Sequence, residues 1–135
     1  MSMFDTNFKM GTEVAFDTQT ISSDTTTQGN EIDLNDGSND FEALELVLAT
    51  GNYTDGDYSL SLEEADEPGG SFTAVDSEDI VGDNTAISAD NSTLHIGYVG
   101  KKRVVRVSVV SASTTTGSDV TVLAIKQHPR SAPLN

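Results

Sequence analysis

The chain has 135 residues, no cysteine, and 22 acidic against 7 basic residues, for a formal net charge of −15. This length suits a single domain, since domains commonly span about 100–150 residues. The lack of cysteine excludes a disulfide scaffold and a thiolate metal site, and it fits a reducing cytosol. The acidity opposes nucleic-acid binding, because phosphate contacts need clustered lysine and arginine.

The start of the chain shows neither the basic nor the apolar segment of a signal peptide. No run of about 20 apolar residues predicts a membrane-spanning helix. Met3, Phe4, Phe8 and Met10 are large apolar residues in an otherwise polar stretch. We therefore predict an N-terminal arm over residues 1–12, which either docks on the chain's own core or packs on a partner.

The β domain is predicted to begin at residue 13 and to continue to residue 135. Val14, Phe16 and Ile21 indicate its first strand. The following stretch, residues 22–30, is polar and has no apolar anchor. We predict that it is a mobile loop on the surface.

An acid-rich stretch follows, DLNDGSNDFE, and its side-chain oxygens suit a hard cation such as calcium. Its spacing departs from the EF-hand pattern, because Gly37 stands where the third side-chain ligand should be. Turns rich in Asp and Asn have this composition without metal, since their side chains bond the nearby backbone. We therefore predict no metal site. The side chains concerned are Asp33, Asn35, Asp36, Asn39 and Asp40.

The rest of the chain shows apolar residues alternating with period two, which is typical of strands with one buried face. No segment has helical periodicity, and Glu78–Val81 is at most a turn. The alternating rows are Leu44, Leu46 and Leu48; Tyr58, Leu60 and Leu62; Leu94, Ile96 and Tyr98; Val105, Val107 and Val109; and Val120, Val122 and Ala124.

Turn signals separate these rows. Asp55-Gly56 predicts a tight hairpin, and the Gly97–Lys102 stretch predicts another. Seven or eight short strands fit the length, so we predict an all-β fold. It is a single-domain antiparallel β-sandwich, jelly-roll or Greek-key like, with an extended C-terminal tail from about residue 128.

The sequence offers few residues in arrangements suited to catalysis. His95 lies between Leu94 and Ile96, so alternation places it on the surface, and His128 precedes a proline. Neither stands in a recognisable Ser or Asp constellation, and no phosphate-binding glycine loop opens a helix. We predict no enzyme activity, no catalytic residue and no cofactor.

Positive charge is concentrated late in the chain. Residues 1–90 carry one Lys and 21 acids, whereas residues 91–135 carry six bases and one acid. Four of the bases lie in the strand-like run HIGYVGKKRVVRVSVV: Lys101, Lys102, Arg103 and Arg106. One hypothesis pairs them with the chain's own acids, for example Arg106 with Glu42 or Glu45 across neighbouring strands. The other brings them against a partner.

Two short motifs resemble a known group of proteins. Gly97, Tyr98, Gly100 and Arg103 form a Gly-Tyr-x-Gly-x-x-Arg element, and the last strand runs into His128-Pro129-Arg130. Over about residues 58–130 the chain resembles the small proteins that tailed bacteriophages make beside their major capsid protein, some of which are head decoration or cement proteins.

The resemblance implies a jelly-roll-like domain that binds the outer surface of an icosahedral head and stabilises it by bridging major capsid protein subunits. It implies a homo-oligomer, with a dimer favoured and a trimer possible. The protein would be made in the host cytoplasm and lie on the capsid exterior, with no nucleic acid or membrane as partner. The candidate contacts to capsid or to a second subunit are Met3, Phe4, Phe8, Lys101, Lys102, Arg103 and Arg106.

An alternative is a β-sandwich adhesion module of a tail or head fibre that binds host surface glycans. Such a module needs exposed aromatic rings in a loop. Tyr53 and Tyr58, on either side of Asp55-Gly56, are the candidates.

Overall fold

The computed structural model describes residues 10–35 and 41–129, which form two antiparallel sheets packed face to face. No helix in this part of the chain is long and apolar enough to cross a membrane. A 3-10 turn, Ser77–Asp79, precedes β6. The strands are β1 (Met10–Ile21), β2 (Thr26–Asp33), β3 (Phe41–Tyr53), β4 (Asp57–Ala65), β5 (Thr73–Ala74), β6 (Ile80–Val81), β7 (Thr93–Tyr98), β8 (Val104–Ala112) and β9 (Ser118–Pro129).

The strand order identifies the sandwich as a jelly roll. The five-stranded sheet has the order β1-β9-β3-β7-β6, and the four-stranded sheet has the order β2-β8-β4-β5. The pairs are nested: β1 with β9, β2 with β8, β3 with β7, and β4 with β5. This is the pattern that arises when one long antiparallel hairpin rolls up into two sheets. The predicted β-sandwich is confirmed.

The alternating rows predicted from the sequence form the core between the sheets. Leu46, Leu48, Val107 and Val122 have no exposed surface, and the other members of the predicted rows are buried as well. Full burial of such a side chain contributes about 1.5–3 kcal/mol relative to exposure. The register of each strand is fixed, because a slip of one residue would turn its apolar row outward.

The two predicted hairpins are connections between sheets instead. Asp55-Gly56 links β3 in one sheet to β4 in the other, and residues 99–103 link β7 to β8 in the same way. Gly56 takes a positive φ of 105°, as a tight reversal requires. The hairpin prediction is wrong because β3 has both edges occupied, by β9 and β7.

The predicted loop over residues 22–30 is also wrong, because residues 26–30 begin β2. This strand pairs with β8 through Thr26↔Val110 and Gln28↔Ser108. It lies at the edge of its sheet, so backbone hydrogen bonds to β8 hold it while polar side chains face solvent. At Gly29, a Cβ would overlap the carbonyl oxygens of Ala15 and Val107, so this edge strand passes too close to its neighbours for a side chain.

The predicted terminal segments fall mostly outside the described residues. Of the predicted arm 1–12, the last three residues belong to β1, and Met3, Phe4 and Phe8 lie outside. At the other end β9 continues to Pro129, and the remainder of the predicted tail lies outside as well.

One carboxylate ties together two connections at the same end of the sandwich. Asp55, between β3 and β4, accepts hydrogen bonds from the backbone N–H groups of Thr115 and Gly117 at 2.9 Å and of Thr116 at 3.1 Å. These donors belong to the β8–β9 connection. They lower the pKa of the Asp55 carboxyl below its ordinary value of 3.8, because they favour its charged form.

We expect Asp55→Asn to destabilise the protein at neutral pH and to have less effect in acid. The folded pKa lies below the unfolded one, so the carboxylate's contribution is fully present above the unfolded pKa. It is lost as pH falls through the folded pKa. Urea unfolding at pH 7 and at about pH 2.5 measures the difference from wild type. Asp57→Asn, which removes a neighbouring carboxylate without these bonds, is the control. A difference that stays constant across pH would contradict the assignment.

Candidate interaction site at the basic corner

The connection from β7 to β8 is built over a buried tyrosine. Tyr98 has no exposed surface, and its hydroxyl donates to Glu64 Oε1 at 2.7 Å and accepts from the Lys102 N–H at 3.1 Å. Burial, together with the hydrogen bond to Glu64, raises the pKa of Tyr98, so the hydroxyl stays protonated as a donor. The connection crosses directly above the ring. At Gly100, a Cβ would stand 2.6 Å from ring atom Cζ.

This geometry gives the Gly-Tyr-x-Gly-x-x-Arg motif a structural reason. Gly100 leaves room for the ring of Tyr98, and Tyr98 in turn holds the backbone of Lys102. The loop therefore presents its basic side chains from a supported backbone. We call the site formed by Lys101, Lys102, Arg103 and Arg106 the basic corner.

The ion pairs of Lys102 and Arg103 lie at the surface. Lys102 Nζ is 2.8 Å from Asp66 Oδ1, and this contact raises the pKa of Lys102. Arg103 makes two hydrogen bonds to the Asp33 carboxylate, from Nε at 2.9 Å and from Nη2 at 2.8 Å. The two basic side chains keep 43% and 42% of their surface exposed. Exposed pairs contribute only about 0–1 kcal/mol, so they orient these bases more than they stabilise the fold.

Arg106 is enclosed more deeply, in the middle of β8. Its Nη2 lies 2.9 Å from Glu63 Oε1 on β4, and Glu31 of β2 is opposite it on the other side. The guanidinium carbon is 4.1 Å from the centroid of the Phe72 ring, which covers it. Only 20% of the side chain is exposed. The guanidinium of Arg106 is therefore engaged by groups of its own sheet and of the adjoining β4–β5 loop.

Arg106 pairs with an acid on a neighbouring strand, as predicted, but this acid is Glu63 and not Glu42 or Glu45. The strand of Glu42 and Glu45, β3, belongs to the five-stranded sheet, so neither residue can lie beside Arg106 on β8. The carboxylate of Glu45 instead lies 2.8 Å from His95 Nδ1 on β7. His95 is at the surface, as its alternation predicts.

Lys101 differs from the other three bases. It is exposed and forms no salt bridge within residues 10–35 and 41–129. The outward side of the basic corner thus consists of Lys101, Lys102 and Arg103. Met3, Phe4 and Phe8, the other predicted contacts, lie outside the described residues.

The two tyrosines considered for glycan binding support the fold instead. Tyr58 has no exposed surface, and its hydroxyl donates to the Asp55 carbonyl at 2.8 Å. Tyr53 is half-buried, donates to the Gly56 carbonyl at 2.9 Å, and meets Tyr58 edge to face with centroids 6.4 Å apart. The proposal that they form an exposed pair is wrong for Tyr58. Its shared parity with Leu60 and Leu62 was a sufficient sequence signal.

The acid-rich stretch is described only in part. Asp33 Oδ1 accepts the backbone N–H of Asn35 at 2.9 Å, which is the local bond of an Asx turn, in addition to its bonds from Arg103. Asp36, Asn39 and Asp40 lie outside the described residues. Among the residues that are described, no three potential His, Asp or Glu ligands are grouped as a metal site would need.

Comparisons with known proteins are sparse. No family model matches the chain, and no curated protein matches it significantly. Among solved structures, the chain is similar to one described as the crystal structure of SPBc2 prophage-derived protein YomS. The identity is 17% and the TM-score 0.46, over 88% of this chain and 93% of that chain. A likeness at this level assigns neither family nor function.

Proposed function

We propose that the protein is a structural virion protein that binds the outer surface of an icosahedral phage head and stabilises it by bridging major capsid protein subunits. The observation that carries the proposal is the basic corner. A chain of net charge −15 presents Lys101, Lys102 and Arg103 together, on a loop supported from below by Tyr98. The resemblance of the same loop to phage decoration proteins supports this role. The jelly roll is also a fold of viral capsid domains.

The charge distribution favours specific binding through the basic corner over association through the rest of the surface. The acidic remainder of the molecule disfavours unspecific association with other copies and with nucleic acid. At short range the corner offers Lys101, which has no internal competitor among the described residues. It also offers two bases whose exposed ion pairs cost little to rearrange. Carboxylates on a capsid surface are the complementary groups, since arginine binds them in a bidentate manner.

Stabilisation of the head then follows from mass action, and no catalytic residue is required. A ligand that binds only the assembled lattice stabilises it by about 2.7 kcal/mol per site at a free concentration of 100 times Kd. The effect is multiplied over the sites of the head. The alternative, glycan adhesion, loses the support of Tyr58, which lies in the core.

We expect Lys101→Gln to weaken head binding about fivefold, which corresponds to about 1 kcal/mol for one exposed charge contact. The measurement is co-sedimentation with heads of the parent phage that lack the protein, at low and high salt, followed by a heat challenge. Ser88→Asp changes the net charge equally and is exposed near Ile87, which pairs with Tyr58 at the opposite end of β4 from the corner. It should bind as wild type does. Wild-type protein that does not bind such heads would overturn the proposed function, and equal binding by Lys101→Gln would exclude the corner as the contact.

A further inference from the structure

The outer face of the five-stranded sheet carries an apolar stripe, formed by Val14, Val47, Leu123 and Ile125. Val14 and Leu123 are direct cross-strand partners, and Leu123 also faces Val47. Three adjacent strands therefore place apolar side chains in one row, and Ile125 extends the row along β9. Val14 and Leu123 are each 46% exposed. An antiparallel sheet with one solvated face normally turns polar residues outward, so this stripe is unusual for a solvent-facing surface.

The surroundings of the stripe are poor in charge. Its one adjacent carboxylate, among the described residues of these rows, is that of Glu45, which is bonded to His95 at 2.8 Å. Asp119, at the far end of the face, accepts from the Thr20 hydroxyl. A face with so few charged groups is unusual in a chain of net charge −15. The remaining neighbours are uncharged: Thr12, Ala43, Ala49, Thr121 and Gln127.

We propose that a second copy of this chain covers the apolar stripe, so that the protein is a two-fold symmetric dimer packed through its five-stranded sheets. Charge complementarity selects this occupant. Among the described residues of this face, a highly charged partner would find only Glu45, which is already bonded to His95, and Asp119 at the far end to pair with its charges, whereas a second copy brings the same charge-poor face. Two sheet faces also stack readily, at a separation of about 10 Å.

The size of the face sets the strength of the dimer. Four strands about 4.8 Å apart, each contributing about six residues at about 3.3 Å, offer on the order of 400 Å² per copy. The total, about 800 Å², is well below the roughly 1,200–2,000 Å² of stable complexes. The dimer is therefore weak, with a Kd on the order of micromolar. Because both copies are strongly acidic, salt strengthens it by screening their repulsion.

The test is sedimentation velocity over a concentration series at two salt concentrations, and it does not depend on the proposed function. Wild type should pass from monomer to dimer, with a lower Kd at higher salt. Leu123→Glu, which adds a carboxylate to each copy's stripe, should raise Kd at least about tenfold. Val99→Glu is the matched control: Val99 is 49% exposed but lies in the β7–β8 connection, away from the stripe. Circular dichroism checks that both variants fold.

Two results would overturn the proposal. One is wild-type protein that stays monomeric at concentrations about a hundredfold above the micromolar range. The other is Leu123→Glu that dimerises as wild type does. If the protein is monomeric and Leu123→Glu loses head binding, the stripe belongs to a capsid contact. If it is monomeric and removal of residues 1–9 creates a dimer, the chain's own N-terminal segment is the occupant.

Discussion

Replacing Gly117 by alanine is expected to lower the free energy of unfolding by about 3–5 kcal/mol. Gly117 has a φ of +102°, which an L side chain adopts only with strain. A Cβ here would overlap the carbonyl oxygen of Ile21 and lie 2.7 Å from its carbonyl carbon. Ile21 cannot move away freely, because it ends β1 opposite Ser118.

Gly117 also connects two further parts of the same end of the sandwich. Its carbonyl accepts the N–H of Thr54 at 2.9 Å, and its own N–H donates to Asp55. A backbone shift that relieved the overlap would therefore disturb the β3–β4 connection as well as the end of β1. This coupling is why we expect a loss larger than the strain of a single positive φ.

Gly69→Ala separates the two causes. Gly69 also has a positive φ, +72°, but nothing lies within 4 Å of the position of its Cβ. We expect it to lose only about 1–2 kcal/mol, the strain term alone. Urea unfolding followed by circular dichroism measures both variants. Equal losses would show that the close approach at Gly117 adds nothing.

The strands were largely predictable, because alternation reports burial directly. Leu44, Leu46 and Leu48 lie in the core as their parity requires, and the same rule holds for the row of Val105. The rule failed in β2, whose residues 26–30 are polar. An edge strand needs only a hydrogen-bonding neighbour on one side, and no local pattern reveals that β8 supplies it.

Local sequence patterns could not predict which strands pair with each other. Asp55-Gly56 indicates that the chain reverses, but it does not say whether the next strand joins the same sheet. The nested order brings together residues far apart in sequence, such as Thr20 and Asp119. Such contacts depend on which arrangement buries all apolar rows at once.

The candidate site shows the same limit. The sequence identified the cluster of bases, but their partners come from other elements: Asp33 from β2, Glu63 from β4 and Asp66 from the β4–β5 loop. The apolar stripe could not be predicted from the sequence either. Alternation places Leu123 on the outer side of β9, yet only the register shows that Val14 and Val47 lie beside it.

The two proposed surfaces are expected to respond to salt in opposite ways. Binding through the basic corner weakens as salt rises, because salt screens its charges, whereas association through the apolar stripe strengthens. In the proposed dimer each head-binding unit carries two basic corners. The second contact then becomes effectively intramolecular, which raises the overall affinity without any new contact.

Arg106→Glu is expected to lower the free energy of unfolding by about 3 kcal/mol. The new carboxylate would lie on β8 between Glu31 and Glu63, and the contact of the guanidinium with the Phe72 ring would be lost. This loss is at the lower end of the range for broken buried pairs. Arg106 and Glu63 keep 20% and 34% of their side chains exposed, and water therefore screens part of the repulsion.

Two companion variants separate charge from packing. Arg106→Met keeps an apolar stem beneath Phe72 and should lose only about 1 kcal/mol. Exchanging the pair, Arg106→Glu with Glu63→Arg, should recover much of the stability, because opposite charges again face each other on β8 and β4. Urea unfolding of these proteins and of the single variant Glu63→Arg measures the coupling between the two residues. If Arg106→Glu instead unfolds like wild type and fails to bind heads, the guanidinium acts on the capsid rather than within its own sheet.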